Sequence, residues 1–189
     1  ELGMAQIFAG SGDSEKEREA LAMFDKVVAA YPGEKYEEEA MVDKAHLLFQ
    51  REDWKNAALT YQKIFENKRW KKDREKVVYN MGLAFEKDGN AEMALNAYTA
   101  FFAPPYENKI DFSAEARVRA AQLQYGRGNK EKAYSLLRIT VFKMHKFRSH
   151  PVAGTHIKKA LQLYQDWKPA MAPEFLDEYD TEIAEKVQF

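Results

Sequence analysis

The sequence predicts an all-α fold, a right-handed superhelical solenoid of helical hairpins closed by a C-terminal capping helix. Three observations lead there. Alanine recurs at Ala20, Ala57, Ala94 and Ala133, in steps of 37, 37 and 39 residues. Four residues after each stands Phe24, Tyr61, Tyr98 or Leu137, and seven after each stands Val27, Ile64, Phe101 or Thr140. That spacing puts the three side chains on one helix face. A second small residue recurs upstream as Gly3, Ala45, Gly82 and Ala121. A fixed period with two helices per unit is the signature of stacked repeats.

The clearest unit runs from Val78 to Phe102. Val78, Met81, Gly82 and Phe85 share one face of its first helix, and Ala94, Ala97, Tyr98 and Phe101 share one face of its second. Between them, Gly89 suits a left-handed turn position and Asn90 suits a helix cap. Met81-Gly82-x-x-Phe85, Gly89, Ala94 and Tyr98 resemble the tetratricopeptide repeat, which has Leu-Gly-x-x-Tyr, a turn Gly, an Ala and an aromatic at these places. Tyr31-Pro32, Tyr36 and Ala40, with the lengthened period, resemble the repeats of bacterial envelope proteins. Those are of the outer-membrane assembly lipoprotein and Tol-Pal-associated periplasmic repeat type. The resemblance implies one tetratricopeptide-like domain over 1–189 and a non-catalytic scaffold that binds a protein or peptide partner. It implies a periplasmic setting, in a cell-envelope assembly or motility complex. A cytoplasmic adaptor or regulatory module and a docking domain of a larger enzyme are the alternatives.

In chain order, a truncated first repeat occupies 1–33. Leu2-Gly3 reads as a cut first-helix motif, so a fragment of a longer chain is expected, with self-association through Leu2, Ile7 and Phe8. Gly10-Ser11-Gly12-Asp13 makes its turn. Without a preceding strand or a following Gly-Lys-Ser/Thr it is no phosphate loop. Ser14 and Glu17 predict a capping box. Repeats follow at about 34–70, 71–108 and 109–149. In the last of these a helix is expected to restart at Ser113, and Gln124 stands where a large apolar residue belongs. A degenerate repeat or cap fills 150–189, with Ala160 and Ala172 39 residues beyond Ala121 and Ala133. A last helix is expected over 174–187, with Asp177, Glu178, Glu182, Glu185 and Lys186 toward solvent.

Composition excludes several chemistries. There is no cysteine, which removes disulfides, thiolate metal sites and thiol nucleophiles. With 29 Lys and Arg against 30 Asp and Glu the net charge is −1, giving no overall pull toward nucleic acid. No apolar run approaches the roughly 18 residues that span a bilayer. His145, His150 and His156 have no acidic neighbour in sequence and read as surface residues. No motif specifies an enzyme, a cofactor or a metal.

A binding groove is the function left to such a fold. On each first helix a second stripe runs beside the packing stripe. It holds Val42, His46 and Phe49 in one repeat, Tyr79, Leu83 and Glu86 in the next, and Val118, Gln122 and Tyr125 in the third. An aromatic, apolar stripe with a charged rim suits an extended or helical peptide. The alternative is that these side chains complete the core. Lys68, Arg69, Lys71, Lys72 and Arg74, around Trp70, form a secondary basic patch.

Overall fold

The computed structural model describes residues 1–71 and 73–187. Those residues form an all-α structure with no strand, and they divide into two compact units, 1–94 and 95–189. The first holds α1 (Leu2–Ala9), α2 (Ser14–Ala30), α3 (Lys35–Gln50), α4 (Trp54–Glu66) and α5 (Arg74–Lys87). Each packs on the next, and α1 also touches α3. Helix α6 (Ala91–Thr99) crosses from one unit into the other. The second unit holds α7 (Ile110–Gly126), α8 (Lys130–Met144), α9 (Gly154–Trp167) and α10 (Glu178–Lys186). There α7, α8 and α9 pack on one another, and α10 packs on α8.

Three turns are built alike, and they fix the place of three of the four recurring alanines, Ala57, Ala94 and Ala133. The α3–α4, α5–α6 and α7–α8 connections each have three residues, and the middle one is left-handed: Glu52 (φ 59°), Gly89 (φ 82°) and Gly128 (φ 83°). With that backbone, the amide of Asp53 donates to Leu48 O (3.0 Å), Asn90 to Phe85 O (2.8 Å) and Asn129 to Gln124 O (3.0 Å). This is a Schellman closure, which satisfies carbonyls the helix end leaves open. The same three residues begin the next helix, their carbonyls accepting from the amides of Ala57, Ala94 and Ala133. Each alanine is therefore fixed four residues from a cap.

The periodic positions are core. Ala20, Ala57, Ala94 and Ala133 are buried, as are the residues four and seven places after each. Thr140, the polar one, donates its hydroxyl to Leu136 O (2.7 Å). Burying one such Phe or Leu contributes about 2 kcal/mol. Gln124 also keeps its place in α7 without a local shift: it is buried, and Asn129 Nδ2 donates to its Oε1 (2.8 Å).

Five local expectations are corrected. Gly3 is exposed, and a Cβ there would meet nothing within 4 Å; the buried small residue of α1 is Ala5. Asp13, not Ser14, caps α2, accepting from the amides of Glu15 and Lys16, while Glu17 pairs with Arg51 (2.5 Å). Helix α7 starts at Ile110, and Ser113 lies buried inside it, where its hydroxyl accepts from Arg117 Nε (2.9 Å). The last helix starts at Glu178, because Asp177 and Asp180 form a capping box there. Ala172 consequently lies outside any helix.

The turns give a direct test. A Cβ at Gly89 or Gly128 would meet no atom within 4 Å, so their only constraint is conformational. Glu52→Gly is expected to stabilise the chain by about 1 kcal/mol and Gly89→Ala to destabilise it by about the same amount. Denaturant melts measure both. A Glu52→Gly variant weaker than the parent would show that this turn is not strained.

Candidate functional site

The first two stripes lie in the first unit. Val42, His46 and Phe49 sit on one face of α3, and Tyr79, Leu83 and Glu86 on one face of α5; all six are half-buried. Aromatic rings support the α3 stripe from beneath. His46 meets Tyr61 edge-on at 5.9 Å, and Phe49 meets Trp54 at 4.9 Å and Tyr61 at 6.5 Å. Asn80 of α5 donates to the Tyr61 hydroxyl (3.3 Å), tying α4 to α5 under the stripe. Burial holds that hydroxyl well above the usual tyrosine range, so it stays protonated. Burial, then the charge of Lys76, lowers the His46 pKa, although Asp43 and Asp73 pull the other way. His46 is thus a neutral imidazole at pH 7. Beside it, Gln6, Asp43, His46 and Gln50 line part of a cleft of about 360 Å³. The face can offer aromatic contact and an imidazole hydrogen bond to a partner.

The third trio, in the second unit, is different. Val118 is 2% exposed and packs in the core with Ala114, Ala121 and Tyr134, so it cannot line a groove. One turn from both alanines, it shares their inward face. Gln122 is half-buried. Tyr125 lies flat on Trp167 of α9 (4.2 Å, 13° between planes). Spacing places the trio on one helix but says nothing of which helix covers it.

The basic patch shrinks. Lys68, Arg69 and Lys71 are exposed, and Lys72 lies outside the described residues. Arg74 is structural: its guanidinium donates to Phe65 O (2.5 Å), Trp70 O (2.6 Å) and Asn67 O (3.1 Å) and lies over the Phe65 ring. It closes the C-terminal end of α4 above buried Trp70.

A buried polar cluster in the second unit escaped sequence reading. Asp180 of α10 is 4% exposed. Its Oδ1 accepts from the hydroxyls of Tyr134 and Tyr164, the latter at 2.6 Å, and its Oδ2 accepts from Arg138 (2.8 Å) and the Asp177 amide (3.0 Å). Arg138 also reaches Asp177 Oδ2 (2.7 Å) and Phe175 O (2.7 Å). Burial pushes the Asp180 carboxyl up, but these hydrogen bonds together hold it below the ordinary aspartate value. The one signal in sequence was Tyr134 and Arg138, four apart on α8. The histidines also gain neighbours that sequence distance hid: His150 lies 3.7 Å from Asp111, and His156 lies 3.3 Å from Glu115, both acids on α7. Among the described residues no group of three or more His, Asp or Glu is placed to hold a metal ion.

The Asp180 cluster predicts an acid-sensitive C-terminal helix. Its folded pKa lies below the unfolded value of about 3.9, so its contribution is full above that pH and is lost as pH falls through the folded value. Asp180→Ala removes one of the two carboxylates on buried Arg138 and the shared acceptor of the Tyr134 and Tyr164 hydroxyls, and is expected to cost about 3 kcal/mol. In urea melts across pH, Asp180→Asn should flatten the acid limb of the stability curve. Equal limbs in parent and variant would rule this carboxylate out as the source.

One family, described as a domain of unknown function (DUF6340), matches residues 43–123, from within α3 to within α7. No curated protein and no solved structure matches the chain.

Proposed function

We propose that the chain is a non-catalytic protein-interaction module, a superhelix of tetratricopeptide-like hairpins that takes a peptide segment against the stripe of α3 and α5. The observation carrying this reading is a contrast on the same two helices. Ala45, Leu48, Met81, Gly82 and Phe85 are buried, while the adjoining Val42, His46, Phe49, Tyr79, Leu83 and Glu86 keep part of their surface in solvent. Aromatic and aliphatic side chains held half-open over a rigid ring cluster are the composition of an interface centre. The three matching turns and the buried alanine at a fixed distance from each support the repeat reading. The bacterial envelope setting is proposed from the resemblance of Tyr31-Pro32, Tyr36 and Ala40. Self-association through α1 is supported by Ile7, which is 68% exposed, whereas Leu2 and Phe8 are partly buried against the cluster of Ala5, Ala20 and Phe24. Ile7→Glu should lower any dimer fraction seen by sedimentation velocity.

The decisive test separates binding from stability. A partner is first captured by cross-linking in the native organism, and its binding segment is mapped. The double variant Tyr79→Ser, Leu83→Ser is expected to weaken that segment's binding by about 2 kcal/mol or more. Its thermal transition should move only modestly. A double variant that binds like the parent would overturn the stripe as the site. One that unfolds would assign both residues to the core.

A further inference from the structure

From Arg127 to Lys159 the chain carries nine Lys or Arg residues and one acid, Glu131. The fold neutralises part of this run with acids brought from elsewhere. Asp177 and Asp180 take Arg138, Glu107 takes Lys143 (3.2 Å), and Asp111 and Glu115 lie against His150 and His156. Lys146 is exposed and forms no ion pair among the described residues; its ammonium lies over the Phe147 ring at 5.2 Å. It stands on a cleft of about 740 Å³ in the second unit. Ile110, Phe142 and Phe147 supply its apolar surface, and Lys143, Lys146 and Lys186 its charge.

We propose that this cleft is a second docking site, taking an acidic peptide segment with one large apolar anchor from a partner protein. Volume and lining fit a bulky side chain, and Lys146, the cleft lysine with no ion pair among the described residues, complements a carboxylate beside it. The two acids on the cleft, Glu107 and Glu182, are already bound to Lys143 and Lys186. They disfavour a continuous phosphate chain, whose charges cannot be spaced around them, whereas a peptide can place neutral residues opposite. The site differs from the stripe on α3 and α5 and stands or falls separately.

Fluorescence anisotropy with a labelled Glu-rich peptide carrying a central Phe tests it, against a Lys-rich counterpart and a Phe→Ser version. The Glu-rich probe should bind, the Lys-rich one should not, and loss of the Phe should weaken binding by about tenfold. Lys146→Glu, at an exposed position that leaves the fold intact, should weaken it by about fivefold, and added salt should weaken it further. Lys130→Glu at the other end of α8 and the Tyr79/Leu83 double variant should bind like the parent. Equal binding of both probes, or a Lys146→Glu variant indistinguishable from the parent, would overturn the proposal. So would binding of phosphatidylserine vesicles without binding of the peptide, which would make the cleft a lipid site.

Discussion

The amides of Asp53, Asn90 and Asn129 reach back across three-residue turns to Leu48, Phe85 and Gln124. That hydrogen bond forms only when the middle residue is left-handed. Once it forms, the next helix starts at a fixed place, and the alanine four residues on is buried. The side chains four and seven places later, aromatic or aliphatic except for Thr140, then fall into the core. Much of the architecture follows from this local closure. Two of the three turns use glycine; the third holds Glu52 in the same conformation at a cost in backbone strain.

The features legible in the sequence are the ones this closure repeats. Alanine steps, the stripe at four and seven, and Gly89 with Asn90 all read correctly, because each depends on neighbours close in the chain. Features that depend on distant partners were misread. Gly3 matched a motif, yet Ala5 is the buried small residue of α1, and the α1–α2 connection has four residues where the three matching turns have three. Ser113 reads in sequence as the restart of a helix, but it lies inside α7 and its hydroxyl serves Arg117, which sits one turn before Ala121 where Met41 and Val78 stand in the other units. Tyr125 shares its face with Gln122 as expected, but Trp167 covers it from a helix forty residues on.

Both units bury aromatic and aliphatic side chains, but the second also buries two guanidinium groups. Arg117 donates from Nε to Phe101 O (3.1 Å) and to Ser113, and its Nη1 has no hydrogen-bond partner. Burial lowers its pKa to about 10, with Glu107 opposing, so it remains charged at neutral pH. Arg138 is held by Asp177, Asp180 and Phe175, and its Nε likewise has no hydrogen-bond partner. Such groups contribute little net stability. They do discriminate between registers: an apolar face tolerates sliding, whereas Asp180 is satisfied in only one seating of α10.

The brace at Arg74 has a further consequence. The joint between α4 and α5 is the longest in the first unit, seven residues from Asn67 to Asp73. It is held by a cation, yet the three acceptors are backbone carbonyls rather than carboxylates. Dissolved ions screen a pair of opposite charges far more than they weaken short hydrogen bonds to fixed, half-buried dipoles. The surface around Arg74 changes its electrostatics with ionic strength, through Lys68, Arg69 and Lys71. The joint beneath should not, so a partner drawn in by those basic residues at low salt and one held at high salt would meet the same angle between α4 and α5.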